Sequence, residues 1–157
     1  PKTPKPHVLW IYLFYIYIYR IYLMGAVFFK SGNDKSFEKE IAKYSSLNEV
    51  PVTTIEGQVT TIGNLVTDKC LYLIINTASK WGITTKNYKQ LVQIHQEFRE
   101  RGFEIIAFPC NQFAGQEPLK PEEILKLARG KYGIEFPIIE KTEVNGKRTH
   151  DVFKYIR

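Results

Sequence analysis

Cysteine is scarce in this chain of 157 residues, which holds only Cys70 and Cys110. Two cysteines do not make a disulfide scaffold, and the lack of a CxxC pair argues against a zinc site or a dithiol exchanger. Histidine is also sparse, and the residues of this type, His7, His95 and His150, are too scattered to indicate a metal site. No glycine-rich phosphate loop is present. We therefore expect no bound metal ion and no bound cofactor.

Acidic residues are missing from the first 30 positions, which hold four of the 22 basic residues. The net charge of +6 therefore arises mostly there, and the rest of the chain is close to neutral. Proteins that bind nucleic acid usually carry basic side chains clustered on one face, and no such cluster is visible. The composition, 44% hydrophobic and 24% charged, suits one globular domain with a full core. We expect no nucleic-acid partner.

A long apolar run covers residues 8–29, which read VLWIYLFYIYIYRIYLMGAVFF. This length can cross a membrane as a helix, although Arg20 within it is costly unless it pairs or reaches the surface. The alternating Ile and Tyr form a low-complexity tract of the kind that a TATATA repeat encodes, and the first internal start would be Met24. Two interpretations stay open for residues 1–30: a membrane anchor or a gene-model artefact. The protein is expected at a membrane in the first case and in the cytoplasm in the second.

Residues 31–50 are polar and charged, and this composition predicts a linker or a short exposed helix. The sequence then changes to β-branched runs at 52–55 and 58–62. Glu56 and Gly57 separate these runs, as in a tight turn between two strands. The pattern predicts an N-terminal β-hairpin.

The remaining elements alternate between strand and helix. The pattern predicts strands over 71–76, 103–108 and 134–139, helices over 84–101, from Pro121 to Gly130 and from Asp151 onwards, and a turn over 144–147. His95 lies on the apolar stripe of the first of these helices and is expected to be a packed, hydrogen-bonded core residue. Strands that alternate with helices lie parallel and are joined by right-handed crossovers. The fold class is therefore α/β, with parallel central strands, flanking helices and the N-terminal hairpin.

Two loops follow the first two of these parallel strands, at 77–83 and 109–118. In open parallel sheets, ligands bind beyond the C-terminal ends of the strands. The sheet therefore brings the loop sequences TASKWG and PCNQFAGQEP to one edge. This edge is the predicted functional site.

The sequences around both loops resemble the glutathione peroxidase family. Residues 76–82 (NTASKWG) and 107–118 (AFPCNQFAGQEP) match the family motifs, commonly NVASxCG and AFPCNQFGxQEP. The resemblance implies a thioredoxin-like fold. Because no long insertion separates Gly130 from Pro137, the chain is similar to the small, monomeric phospholipid-hydroperoxide type. The family continues into a WNF motif that this chain does not reach, so the resemblance implies a domain over 51–157 that is incomplete at its C-terminus.

The resemblance implies that hydroperoxides are reduced by a thiol, in defence against oxidative stress. In the family, a cysteine or selenocysteine at position 81 is the nucleophile, and the glutamine matching Gln116 hydrogen-bonds the reactive atom. This chain has Trp81 instead, and an indole N–H can donate a hydrogen bond but cannot attack a peroxide. Three explanations stay open. They are a true substitution that leaves an inactive binding protein, a selenocysteine codon translated as Trp, and a degenerate gene copy.

Four further residues of the motifs have expected roles. Cys110 is the candidate for a secondary thiol, although a buried free cysteine is the commoner role. A disulfide between Cys70 and Cys110 is excluded, because Cys70 starts the strand that leads to position 81 and so lies at the other end of the sheet. Asn111, Gln112 and Gly82 are expected to support the loops.

The resemblance also concerns the electron donor. Thioredoxin-dependent members carry a resolving cysteine in the second helix, and no cysteine stands at the matching place near Ala128. Glutathione is therefore the implied donor, with a thioredoxin-like protein as the alternative, and hydroperoxides are the implied substrates. Lys80 and Lys86 near the mouth of the site are expected to be solvated, or to attract an anionic thiol or a phospholipid headgroup.

Overall fold

A computed structural model describes residues 43–156 of the chain. The predictions for residues 1–30 and for most of 31–50 lie outside the described residues. Within 43–156, the structure contains no helix that is both long enough and apolar enough to cross a membrane.

The described part begins with a β-hairpin of two short antiparallel strands, β1 (Pro51–Thr53) and β2 (Val59–Thr61). The connecting turn is closed by a hydrogen bond of 2.8 Å from Thr54 N to Gln58 O. Gly57 in this turn has a φ of +88°, which glycine adopts without the steric cost that other residues have there. The predicted hairpin is confirmed.

A short helix follows β2 directly, α1 (Ile62–Leu65), and the sequence patterns did not predict it. The Thr61 hydroxyl caps this helix by accepting a hydrogen bond of 3.3 Å from Asn64 N. Ile62 extends the β-branched pattern of β2 in sequence, but its side chain is fully buried as the first residue of the helix. The predicted strand over 58–62 therefore ran one residue too far.

The centre of the fold is a parallel pair of strands, β3 (Leu71–Thr77) and β4 (Phe103–Pro109). Their register runs from Leu71 opposite Phe103 to Thr77 opposite Pro109, so that both strands end at the same edge. The helix α2 (Thr84–Phe98) connects them, followed by a 3-10 turn over Arg99–Arg101. This strand–helix–strand unit was predicted and is confirmed.

Gly102 ends the turn after α2 with a φ of +83°. A Cβ atom at this position would lie 2.9 Å from Cys70 Sγ, which is closer than such atoms approach. The backbone of Gly102 also accepts hydrogen bonds from the N–H groups of Cys70 (2.9 Å) and Leu71 (3.1 Å). Glycine is needed here for its conformation and for the close approach of β3.

The core lies on both faces of β4, because successive side chains of a strand point to opposite faces. One face, which includes Ile105, packs against α2. The other face, which includes Ile106 and Phe108, packs against the hairpin and the C-terminal part of the chain. All three side chains are fully buried, so β4 is the central strand of the described fold.

His95 packs in the core, as predicted. Its ring lies edge-on to Phe136 at 5.5 Å between the ring centres, and its side chain is almost fully buried. Its Nε2 atom is 2.8 Å from Glu104 Oε1, but the two groups are not aligned as a hydrogen bond. The predicted packing is therefore confirmed, whereas Nε2 lacks the predicted hydrogen bond.

The helix predicted from Pro121 to Gly130 differs at its end. It starts as α3 (Pro121–Leu125) and continues as a wider π-helical segment over Lys126–Lys131. Gly130 lies inside this segment, so the prediction that it stops the helix was wrong. The chain instead turns away at Gly133, whose φ of +66° supplies the left-handed conformation that commonly ends a helix.

The segment 134–139, predicted as a strand, forms only isolated bridges and no regular ladder, so that prediction was wrong. Pro137 within it has no N–H to donate. Two hydrogen bonds tie the segment to β4, from Ala107 N to Pro137 O (3.0 Å) and from Ile139 N to Ala107 O (2.8 Å). Another links it to the hairpin, from Ile55 N to Ile138 O (2.9 Å). The segment thus lies between β4 and the hairpin and joins them.

The final helix, α4 (Asp151–Tyr155), begins where predicted. It contacts the start of the described chain, where the Tyr44 hydroxyl donates to Asp151 Oδ2 at 2.8 Å and Lys43 Nζ lies 2.9 Å from the same oxygen. Val50 is fully buried in the core. The last residues of the predicted linker over 31–50 therefore pack on the domain, because they carry aromatic and apolar side chains that the polar composition of the whole stretch conceals.

Candidate active site

The two loops predicted to share one edge of the sheet are in direct contact. Cys110 N donates to Thr77 O at 2.9 Å, which extends the pairing of β3 and β4 by one step. Further along, Lys80 N donates to Gln116 O at 2.9 Å. The loop that carries position 81 is therefore held against the loop that carries Gln116.

Glu117 is the main side chain between the two loops. It is 0% exposed, and its Oε2 atom accepts hydrogen bonds from Ser79 N (2.7 Å) and Ser79 Oγ (2.8 Å). Its own N–H donates to Asn111 Oδ1 at 2.8 Å. Its Oε1 atom is buried and has no hydrogen-bond partner among residues 43–156. Burial raises the pKa of Glu117, while the hydrogen bonds from Ser79 and the charge of Lys141 act in the opposite direction.

Sequence reasoning did not single out Glu117. It stands in the second motif between Gln116 and Pro118, and nothing in the pattern distinguishes a buried carboxylate from a solvated one. The signal that could have found it is the rarity of an acidic side chain without exposed surface, which needs a partner to be tolerated. The sequence alone does not show this, because the partner of Glu117, Ser79, lies on the other loop and is brought beside it only by the fold.

Position 81 stands at the entrance to α2. The carbonyl oxygen of Trp81 accepts a hydrogen bond of 3.0 Å from Thr84 N. The N–H groups of Gly82 and Ile83 meet no acceptor in the part of the chain that the structure describes. Free N–H groups and the helix dipole favour negative charge at this place, and they lower the pKa of a thiol that stands there.

Trp81 is one of the residues that line a small cavity of about 20 Å³ between β3 and α2. This volume has room for one water molecule. Tyr88 and Thr77 line the same cavity, and burial raises the pKa of Tyr88 to about 12 although the Thr77 hydroxyl acts in the opposite direction. Gln116 does not line this cavity. The hydrogen bond from Lys80 N to Gln116 O therefore brings the Gln116 backbone next to the loop of position 81.

The two cysteines are separate and free. Cys110 directly follows β4 and is 1% exposed, with Sγ 3.6 Å from Gln112 Oε1. Cys70 directly precedes β3, at the opposite end of the parallel pair, and is exposed. The predicted absence of a disulfide between them is confirmed. Burial keeps Cys110 away from solvent, which is unfavourable for a reactive thiol.

Gln112 holds the loop of Cys110 to the turn at 144–147. Its Oε1 atom accepts hydrogen bonds from Val144 N (2.8 Å) and Asn145 N (3.0 Å), and its Nε2 atom donates to Asn145 O at 2.8 Å. Asn111 has the bond to Glu117 described above. No cluster of His, Cys, Asp and Glu suited to a metal ion occurs between residues 43 and 156.

Comparison with known proteins agrees with the fold and the loop motifs. Residues 47–157 match the family model described as Glutathione peroxidase. The "Probable glutathione peroxidase 2" of Arabidopsis thaliana is 48% identical over 85 residues, which are 54% of this chain and 50% of that protein. The "Probable phospholipid hydroperoxide glutathione peroxidase" of Mesembryanthemum crystallinum is 37% identical over 123 residues, 78% of this chain and 65% of that protein.

A solved structure is similar as well. The crystal structure of T. cruzi GPX1 superposes with a TM-score of 0.51 at 27% identity, covering 71% of this chain and 64% of that chain. The chain thus spans between one half and two thirds of the length of these three proteins.

Proposed function

Because the chain belongs to the glutathione peroxidase family, we propose that its site serves the reduction of hydroperoxides by a thiol, with the residue at position 81 as the nucleophile. The site performs this reaction when position 81 holds a cysteine or selenocysteine. The observation that carries the proposal is the place of position 81 beside the free N–H groups of Gly82 and Ile83 at the entrance to α2.

The chemistry follows from that place. A thiolate at position 81, stabilised by the N–H groups, attacks one peroxide oxygen, the O–O bond breaks, and the other oxygen leaves as an alcohol after taking a proton. The nucleophile becomes a sulfenic acid. A first donor thiol condenses with it and releases water, and a second donor thiol releases the resulting mixed disulfide. The sum is one hydroperoxide and two thiols giving alcohol, water and a disulfide.

Glutathione is the proposed donor. A resolving cysteine in the helix that begins with α3 would allow an internal disulfide and a thioredoxin-like donor instead. No cysteine stands at the corresponding place near Ala128, and Ala128 itself is buried. The thiol of Cys110 is also buried. No second accessible thiol therefore stands at either place to react with position 81.

A second candidate function follows from Trp81 itself. An indole has no lone pair suited to attack on oxygen, so a protein with tryptophan at this position does not reduce hydroperoxides by this mechanism. The same scaffold then acts only by binding. The identity of the residue at position 81 in the mature protein therefore decides between the two candidate functions.

Mass spectrometry of the natural protein tests this choice. Trypsin releases residues 81–86 as WGITTK if position 81 is tryptophan. Detection of this peptide assigns the natural protein to the binding function. A peptide with cysteine or selenocysteine in its place supports the peroxidase function.

Trp81→Cys tests whether the scaffold itself supports the reaction. We expect thiol-dependent reduction of hydrogen peroxide at least about a hundredfold faster than in Trp81→Ser, a difference of about 2.7 kcal/mol in transition-state free energy. Both variants carry Cys70→Ser and Cys110→Ser, so that Trp81→Cys has a single thiol, at position 81, and Trp81→Ser has none. Equal rates in the two variants would show that the scaffold does not supply the proposed function.

A further inference from the structure

An open cleft of about 500 Å³ lies between the loop 109–118 and the segment 141–148. Its volume falls within the usual range for a small-molecule site. The cleft is lined by Asn111, Gln112, Lys141, Thr142, Glu143 and Arg148. None of these residues has a part in the proposed reaction.

The free polar groups of the cleft are hydrogen-bond donors. The Asn111 side-chain amide and the Thr142 hydroxyl have no partner within residues 43–156 for their donor groups. Lys141 Nζ donates to the carbonyl oxygens of Glu117 (3.0 Å) and Leu119 (2.7 Å), which leaves its third N–H free. The lining therefore offers several donors close to a fixed positive charge.

The single carboxylate in the lining is already occupied. Glu143 Oε1 pairs with the Arg148 guanidinium, and its Oε2 accepts a hydrogen bond of 3.3 Å from Gln112 Nε2. The Arg148 side chain is 84% exposed and keeps further N–H groups available. With Lys141, Arg148 and Glu143 together, the cleft has one excess positive charge and suits a small anion.

The walls of the cleft are fixed by the backbone. Thr142 N donates to Pro109 O at 3.0 Å, and His150 N donates to Glu143 O at 2.8 Å. The hydrogen bonds of Gln112 fix the turn at 144–147 to the loop 109–118. A site whose walls are already in place loses little entropy when a ligand binds.

The cleft is also connected to the candidate active site. Lys141 holds the Glu117 carbonyl, and the Glu117 carboxylate holds Ser79, two residues before position 81. A ligand that contacts Lys141 therefore touches a residue that is joined through Glu117 and Ser79 to the loop of position 81.

We propose that this cleft binds the carboxylate group of a small peptide thiol, with Arg148 and Lys141 supplying the positive charge. This inference rests on the proposed function, because it identifies where the donor of that reaction is held. Guanidinium and carboxylate groups make strong, charge-assisted hydrogen bonds, and Arg148 has the geometry to bind a carboxylate through two parallel N–H groups. A phosphate group offers the same oxyanion chemistry, and the experiment separates the two.

The test is a nuclear magnetic resonance titration of the ¹⁵N-labelled full chain with S-methylglutathione, whose blocked sulfur cannot react. We expect shifts at the amides of Asn111, Thr142 and Glu143, and a dissociation constant at least about fivefold higher in Arg148→Ala. Lys147→Ala is the matched control, because Lys147 is the adjacent exposed cation and does not line the cleft. It should change the dissociation constant less than about twofold.

Three results would overturn the inference: equal weakening by both variants, shifts centred on Lys80 and Lys86 instead of the cleft, or unchanged binding of the probe after both its carboxylates are methylated. Binding of phosphatidylserine vesicles that requires Arg148, with no binding of the peptide probe, would also overturn it in favour of a lipid phosphate. Because the probe is inert, the result is independent of turnover. Binding in the cleft together with an inactive Trp81→Cys variant would reject the proposed function alone.

Discussion

Glu117 holds the two loops of the candidate site together, and it does so as a carboxylate without exposed surface. One of its oxygens accepts both hydrogen bonds from Ser79, and the other has no partner among the described residues. Such a group is stable in the fold only because the bonds on one side offset part of the cost of burying the charge.

Glu117→Gln should change how stability depends on pH. Burial raises the pKa of Glu117 above its ordinary value of 4.5, so the folded protein holds this proton more tightly than the unfolded chain does. The stability of the original protein should therefore fall as the pH rises from about 4.5 through the raised pKa. The variant lacks this titration, and its free energy of unfolding relative to the original protein should increase over the same range.

Urea unfolding at several pH values between 4.5 and 7.5 measures this difference. Glu122→Gln is the control, because Glu122 is exposed in the first turn of α3. The dependence on pH should be larger for Glu117→Gln than for this control. A constant difference for Glu117→Gln would contradict the raised pKa.

For single residues, the sequence predicts the location in the fold better than it predicts the side-chain contacts. The loop motifs locate Trp81, Gln116, Asn111 and Gln112 at one edge because strand ends coincide in a parallel sheet. Which atoms meet depends on side-chain directions that a pattern does not contain. The link between position 81 and Gln116 runs through the backbone at Lys80, and the motif gives no sign of this.

The turn between α2 and β4 shows how one glycine sets the spacing of two elements. Gly102→Ala should destabilise the protein by at least about 1–2 kcal/mol, because its φ of +83° strains any other residue and its new Cβ would lie 2.9 Å from Cys70 Sγ. Gly130→Ala is the matched control, since a Cβ there meets nothing within 4 Å and the residue lies inside a helical segment. The control should be neutral, or stabilising by up to about 1 kcal/mol.

Thermal or urea unfolding of the two variants measures the difference between them. Adding Cys70→Ala to Gly102→Ala should recover the part of the loss that comes from the contact with sulfur. The remaining loss belongs to the backbone conformation. Equal stability of Gly102→Ala and Gly130→Ala would contradict this account of the turn.

Elements with a strong pattern were predictable, and those set by their neighbours were not. The apolar runs of β3 and β4 and the stripe of α2 are properties of the local sequence, and all three were predicted within a few residues. The segment 134–139 looks like a strand in sequence, but Pro137 and its position between β4 and the hairpin reduce it to single bridges. Gly130 resembles a helix stop, but Gly133 supplies the left-handed conformation.

For the whole molecule, the contact between the first described residues and α4 contributes to acid stability. Burial alone would raise the pKa of Asp151, but hydrogen bonds from Lys43, Tyr44 and Lys154 outweigh it and lower the pKa to about 2. A lowered folded pKa contributes stability above the unfolded value of 3.8, and this contribution disappears as the pH falls to about 2.

Asp151→Asn should therefore lower the free energy of unfolding by about 1 kcal/mol at pH 7, and by nearly nothing at pH 2. The full pKa difference would give more, but Lys43 is exposed and water screens its ion pair. Urea unfolding at both pH values measures this, with Glu140→Gln as an exposed control near the same helix. A loss that is equal at pH 7 and pH 2 would contradict the ionic account of the contact.

The α/β class was predictable from the order of the elements, and the glutathione peroxidase family, with its thioredoxin-like fold, from two motifs. The closure of the fold was not. Residues 43–50 were included in a predicted linker, and their packing on α4 depends on a contact between Tyr44 and Asp151 that no local pattern contains.

This same contact determines how the domain would respond to mechanical force. Lys43 and Asp151 lie side by side, although they are near opposite ends of the described chain. A pull applied between residues 43 and 156 would first load the ion pair of Lys43 with Asp151 and the Tyr44 hydrogen bond. These contacts would then break one after another. The ladder between β3 and β4 would bear tension only after these outer contacts had opened, so the domain should yield by peeling at low force and not by shearing of its central strands.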